Sequence, residues 1–160
     1  MTTSSEKLLP ALPGFAGLHH VGYSVPDLDE AIAFFTDALG FTLVSRGGPL
    51  MAGAEPDDDR MTRVFGVHRH AKVRMAFLRR DGLTVELTCW ETPEQRVTPP
   101  INSDIGAAHL ALAVTDLDTA VAALRLYPGV LMLEPYENDA FAYVRTPWGM
   151  LIQLMAVRST

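Results

Sequence analysis

HVGYSVPDLDEA, residues 20–31, returns further along the chain as HLALAVTDLDTA, residues 109–120. Every identity falls at one constant offset: His20 with His109, Val25 with Val114, Asp27 with Asp116, Leu28 with Leu117, Asp29 with Asp118 and Ala31 with Ala120. A repeat at this spacing means one supersecondary unit used twice. Its physical content is readable. Residues 18–25 alternate as a strand, with His20, Gly22 and Ser24 on one face and Val21, Tyr23 and Val25 on the other. Asp27 is placed to cap a helix, with Glu30 three residues on. Leu28, Ala31, Ile32, Phe35 and Leu39 then form an apolar stripe at helical spacing, and Gly40 ends it. In the second copy Leu117, Ala120, Val121 and Leu124 make the stripe and Pro128-Gly129 the stop.

Working outward, each helix is followed by three strand-like segments. These are about 41–46, 72–79 and 83–89 in the first half, and about 129–134, 140–145 and 150–156 in the second. The last strands correspond too: Gly82 precedes Glu86 as Gly149 precedes Gln153, after the turns Asp81-Gly82 and Trp148-Gly149. The chain therefore reads as an α+β protein of two βαβββ modules, over 17–90 and 107–160, behind an arm of residues 1–16. Residues 91–106 have the turn composition of a linker. The two modules are expected to form a cupped, mostly antiparallel eight-stranded sheet. The first module carries an insertion, about 47–71, rich in Gly, Pro and Asp. Met61, Val64 and Phe65 within it predict a short amphipathic helix, either over a site entrance or docked on the surface.

Composition narrows the partners. Of 160 residues 48% are hydrophobic, enough for a full core. A net charge of −6 argues against nucleic acid, which wants a basic face. The single cysteine, Cys89, allows no internal disulfide and fits a reducing, cytoplasmic setting; we read it as a small buried residue. No apolar run is long enough for a membrane span, and the N-terminus lacks the pattern of a signal peptide.

The chemistry lies on the strands. His20 and His109 each sit on the face that carries small residues, Gly22 and Ser24 in one copy, Ala111 and Ala113 in the other. Glu86 lies between Thr84 and Thr88 on one face of its strand, and Gln153 between Leu151 and Met155. A carboxylate in the middle of a strand is costly unless paired. If the modules pack about a pseudo-twofold axis, His20, Glu86, His109 and Gln153 converge. Two imidazoles and a carboxylate suit Fe, Mn, Co, Ni or Zn as the divalent ion, with the Gln153 amide oxygen as a weak fourth ligand. One carboxylate leaves such a site at net positive charge, which favours an anionic enolate or alkoxide.

The pattern HHVGYSVPDLDEAIAFFTDALGF, then LTVELTCWE, HLALAVTDLDTAVAAL and FAYVRTPWGMLIQLM, resembles the glyoxalase / bleomycin-resistance / extradiol-dioxygenase, or vicinal oxygen chelate, superfamily. The resemblance spans nearly the whole chain beyond about residue 17. It implies one divalent metal held by His20, Glu86, His109 and Gln153, a small oxygen-chelating substrate, and a homodimer. Gln153 departs from the Glu usual there, which weakens a glyoxalase I reading and leaves a set similar to methylmalonyl-CoA epimerase-like members.

The leading expectation is a metal-dependent lyase or isomerase that stabilises an enolate, with Glu86 as ligand and catalytic base. A dioxygenase using Fe(II) and a metal-free drug- or metabolite-binding protein are the alternatives. Met75, Tyr143, Trp148 and Arg145 are candidate pocket residues; Tyr136, Phe141 and Arg74 are weaker ones. His19 is read as a packed or rim residue, His68 and His70 as exposed loop histidines, and Glu55 with Asp57–Asp59 as solvated, able to cap the insertion helix.

Overall fold

The computed structural model describes residues 12–55, 57–134 and 140–157. Most of the N-terminal arm and Tyr136 lie outside them. The first module runs β1 (Val21–Ser24), α1 (Leu28–Ala33), β2 (Thr42–Met51), α2 (Arg60–Phe65), β3 (Lys72–Arg80) and β4 (Leu83–Glu91). The second runs β5 (His109–Val114), α3 (Leu117–Arg125), β6 (Leu131–Met132), β7 (Phe141–Arg145) and β8 (Leu151–Ala156). The eight strands divide into two four-stranded sheets, ordered β1-β4-β3-β2 and β5-β8-β7-β6, rather than one continuous sheet. Each sheet has its first strand parallel to its last and the other neighbours antiparallel.

The repeat survives in the register. Gly22 is the partner of Glu86 across β1 and β4, as Ala111 is of Gln153 across β5 and β8. The helix starts are made alike. Asp27 accepts from the backbone N–H groups of Asp29 and Glu30, and Asp116 from that of Thr119, so both helices begin on a carboxylate cap. α1 continues into a π-helical turn, Phe34–Ala38, which buries Phe34 and Phe35. β2 runs on to Met51, so the Gly- and Pro-rich stretch begins inside a strand.

The core lies between helices and sheets. Leu28, Ala31, Phe34 and Phe35 from α1 and its extension meet Leu78, Val85 and Leu87 on one sheet; Leu117, Val121 and Leu124 from α3 meet Val144, Ile152 and Leu154 on the other. These belong to one cluster, joined where Phe34 packs edge-on against Tyr127 and Trp148. Each such side chain contributes roughly 1.5–3 kcal/mol of transfer free energy. Because strand residues alternate, the opposite face of each sheet carries the polar set, and that face holds the candidate site. α2 sits on it at one end: Met61 packs with Ala71 and Val73 in a small second core, and Phe65 lies edge-on to Trp90. Asp58 accepts from the N–H groups of Gly53 and Arg60, tying the insertion together; its hydrogen bonds hold its carboxyl below the usual 3.8. Asp59, at the helix start, pairs with Arg63 instead.

Candidate metal centre

β1 and β4 run side by side, and their register sets His20 diagonally against Glu86. His20 Nε2 stands 3.3 Å from Glu86 Oε2, with side chains 34% and 20% exposed. Between them lies Gly22, where a Cβ would meet Glu86 Oε2 at 3.5 Å. The ring of His20 is fixed on two further sides. It packs edge-on against Phe77, the β3 partner of Glu86, and its Nδ1 lies 2.7 Å from His19 Nδ1. One of those two nitrogens must donate to the other. If His20 donates, its Nε2 carries the lone pair and faces Glu86.

The second module repeats the arrangement with different chemistry. His109 packs edge-on against Tyr143, and Tyr143 is the β7 partner of Gln153. Tyr143 thus stands to His109 as Phe77 stands to His20. Phe77 was missed in the sequence; the short Asp81-Gly82 turn, which fixes the β3–β4 register, is the signal that would have found it. Arg145 shares the face of Tyr143, and its buried Nε has no partner among the described residues. Met75 lies further along β3 beside Thr88. Arg74 is exposed and makes a long contact to the Cys89 sulfur.

His20 and Glu86 are therefore brought together, while His109 does not join them. Among the described residues no three of His, Cys, Asp and Glu gather closely enough to hold one ion. Two ligands each about 2.1 Å from an ion stand about 3.0–3.4 Å apart when they occupy adjacent positions. The separation of His20 and Glu86 falls in that range, so the pair fits a divalent cation as half of its protein ligands. His68 and His70 lie beside each other in the insertion with their rings tilted at 45°, and His68 Nδ1 accepts from the His70 N–H. Burial pushes the Tyr23 phenol above its ordinary value of 10.0, so it stays a donor at neutral pH. No helix among the described residues is long and apolar enough to cross a membrane.

Comparison with known proteins bears on the fold and the family. The family model for the Glyoxalase/Bleomycin resistance protein/Dioxygenase superfamily matches residues 17–154. A 2-epi-5-epi-valiolone epimerase from Actinomyces sp is 40% identical over 153 residues, covering 90% of this chain and 81% of that protein. Among solved structures, a glyoxalase-family protein from Bacillus cereus superposes with TM-score 0.69 at 24% identity, covering 93% of this chain and all of the other. The fosfomycin resistance protein FosX from Listeria monocytogenes, in a complex with Mn(II) and sulfate, gives TM-score 0.57 at 16% identity, over 89% of this chain and 93% of that one. The likeness to the epimerase makes the chain an enzyme, and isomerisation the class of chemistry it supports. By its matched length, its repeated module and its strand register, the chain belongs to the Glyoxalase/Bleomycin resistance protein/Dioxygenase superfamily.

Proposed function

We propose that the protein is a divalent-metal-dependent epimerase acting on a small hydroxy ketone of the 2-epi-5-epi-valiolone kind. The observation that carries this reading is the His20–Glu86 pair, set at cation-bridging distance on an open sheet face. The 40% identical epimerase supplies the substrate class. When bound, a divalent ion would stabilise charge developing on two neighbouring substrate oxygens. The remaining work belongs to the chain. Glu86 is the carboxylate placed to take a proton from the carbon beside the carbonyl. Epimerisation also needs a proton delivered to the opposite face. Gln153 cannot titrate, but Tyr143 brings a phenol O–H to the second module where the first has only Phe77. Each module then contributes one group able to carry a proton.

The reading includes a homodimer, in which His109 and Gln153 of one copy complete the His20–Glu86 pair of the other. Two features support it: the pair and His109 stand apart within the chain, and β2 is exposed along its whole length, with Leu43, Val44, Leu50 and Met51 open to solvent. A cytoplasmic setting fits the lone free cysteine. The ligand pair weighs against a metal-free drug-binding role, and no feature of the face favours oxygen chemistry.

The test is metal content beside turnover. Protein purified without added metal should carry about one equivalent of transition metal per chain. It should interconvert 2-epi-5-epi-valiolone with its epimer, followed by NMR. The His20→Ala/His109→Ala double variant should keep the fold by circular dichroism and lose both. Undiminished turnover in that variant, or after chelation, would overturn the mechanism.

A further inference from the structure

Each module borders a cleft where its first strand approaches the last hairpin of the other module. One, about 380 Å³, lies between β5 (Ala111 to Val114) and the β3–β4 turn at Arg80–Leu83. The other, about 490 Å³, lies between β1 (Gly22 to Val25) and the β7–β8 turn at Trp148–Leu151. The strand and turn that border one cleft correspond to those that border the other. Gly22 and Ser24 stand where Ala111 and Ala113 stand, and Trp148-Gly149 where Asp81-Gly82 stands.

They have diverged. The first is walled largely by alanine and leucine side chains from the helix layer, and the Arg80 guanidinium across its mouth is tied to the Leu39 carbonyl. The second is walled by Tyr23, Trp90 and Trp148 and closed on one side by the linker from Gln95 to Pro100. The chain has two tryptophans, and both line this cleft.

We propose that the second cleft seats the substrate as a neutral, polyhydroxylated ring, its C–H face lying on the indoles and its reacting end turned toward Glu86. The proposal rests on the epimerase reading above and adds the place and chemical class of the ligand. Three observations carry it. First, the cleft adjoins the metal half-site through Gly22, which lines it and whose missing Cβ leaves the way to Glu86 Oε2 open. Second, its walls are amphipathic as a cyclitol is. Flat aromatic faces suit axial C–H bonds, while Ser24, which lines the cleft, offers a hydroxyl beside them. Third, Trp148 Nε1 is buried and has no acceptor among the described residues. Such a donor is costly unless something supplies the acceptor, and a ring hydroxyl does so. Little charge is offered to an ionic ligand: among the described residues Arg96, exposed on the linker, is the one charged side chain lining the cleft.

The experiment titrates the Mn(II)-loaded full chain with 2-epi-5-epi-valiolone, reading tryptophan fluorescence and KM in the wild type, Trp148→Phe, Trp90→Phe and Arg96→Ala. Trp148→Phe keeps an aromatic ring against Phe34 while removing the indole N–H and part of the indole face, and circular dichroism checks that the fold is retained. The expected result is a saturable fluorescence change in the wild type and a KM raised about tenfold in Trp148→Phe, with Mn(II) content unchanged. An unchanged KM in both tryptophan variants, or turnover without a fluorescence change, overturns the cleft while leaving the epimerase reading intact. A larger KM rise in Arg96→Ala than in Trp148→Phe overturns the neutral ring in favour of an anion. Where the wild type neither holds Mn(II) nor turns the ketone over, the epimerase reading fails by itself. The cleft is then judged by a fluorescence titration with myo-inositol, which supports it if saturable and overturns it if flat.

Discussion

His20 is the residue on which the site turns, and its neighbours decide whether it can bind a cation. A neutral imidazole ligates through the nitrogen without a proton, so the other nitrogen must hold the proton and give it to something. His19 Nδ1, 2.7 Å from His20 Nδ1, is placed to be that acceptor, and in the tautomer where His20 Nδ1 donates to it, His20 Nε2 is left free toward Glu86. In the proposed metal site His19 would act only through His20, as a positioning residue. His19→Ala is therefore expected to weaken metal affinity about 10–100-fold, the usual effect of losing a group that orients a ligand. His19→Gln, which still offers an acceptor, should recover much of it. Equilibrium dialysis with Mn(II) measures both, and equal affinity in the wild type and His19→Ala would refute the role. The pairing of His20 with Glu86 was legible in the sequence because the repeat fixed both strands and their alternation fixed the face. The part played by His19 was not. Alternation turns it to the opposite side, but it precedes β1, where the chain is no longer held to the pleat.

At the scale of the element, the modules depend on how their helices start. Asp116 accepts from the backbone N–H and hydroxyl of Thr119, and these bonds hold its carboxyl below the usual 3.8. The cap favours the ionised form in the folded state, so the unfolded chain binds the proton more readily. The stabilisation is complete above pH 3.8 and is lost as pH falls below it, through the depressed folded value. Asp116→Asn should keep the cap, since its amide oxygen still accepts from Thr119, but should lose this acid sensitivity. Asp116→Ala should lower thermal stability at neutral pH as well. Melting curves at pH 7 and pH 3 separate the cases; an Asn variant as acid-labile as the wild type would count against the cap. These helix starts were plain in the sequence, because a cap is a local event. The π-helical turn after α1 was not, since one extra residue in a turn leaves the apolar stripe nearly unchanged.

For the whole molecule the question is which copy of the second module meets the first. The repeat implies a pseudo-twofold axis, and an axis brings equivalent residues together, but the sequence is the same whether the axis joins modules of one chain or of two. Two separate four-stranded sheets, a His20–Glu86 pair that His109 does not join, and an exposed β2 favour the second arrangement. The two arrangements differ in a way that mixing reveals. His20→Ala and His109→Ala homodimers each lack a ligand at every site, so each alone should be inactive. Unfolded together and refolded, half of the dimers are mixed. In a mixed dimer with shared sites one site gathers both lost histidines and the other keeps every ligand. Activity should return to about a quarter of the wild-type value, with metal content rising in step. Ligands drawn from a single chain give no recovery at any mixing ratio, because every chain then carries its own defect. Sedimentation of the mixture fixes the dimer fraction, so a failure to associate is told apart from a failure to share.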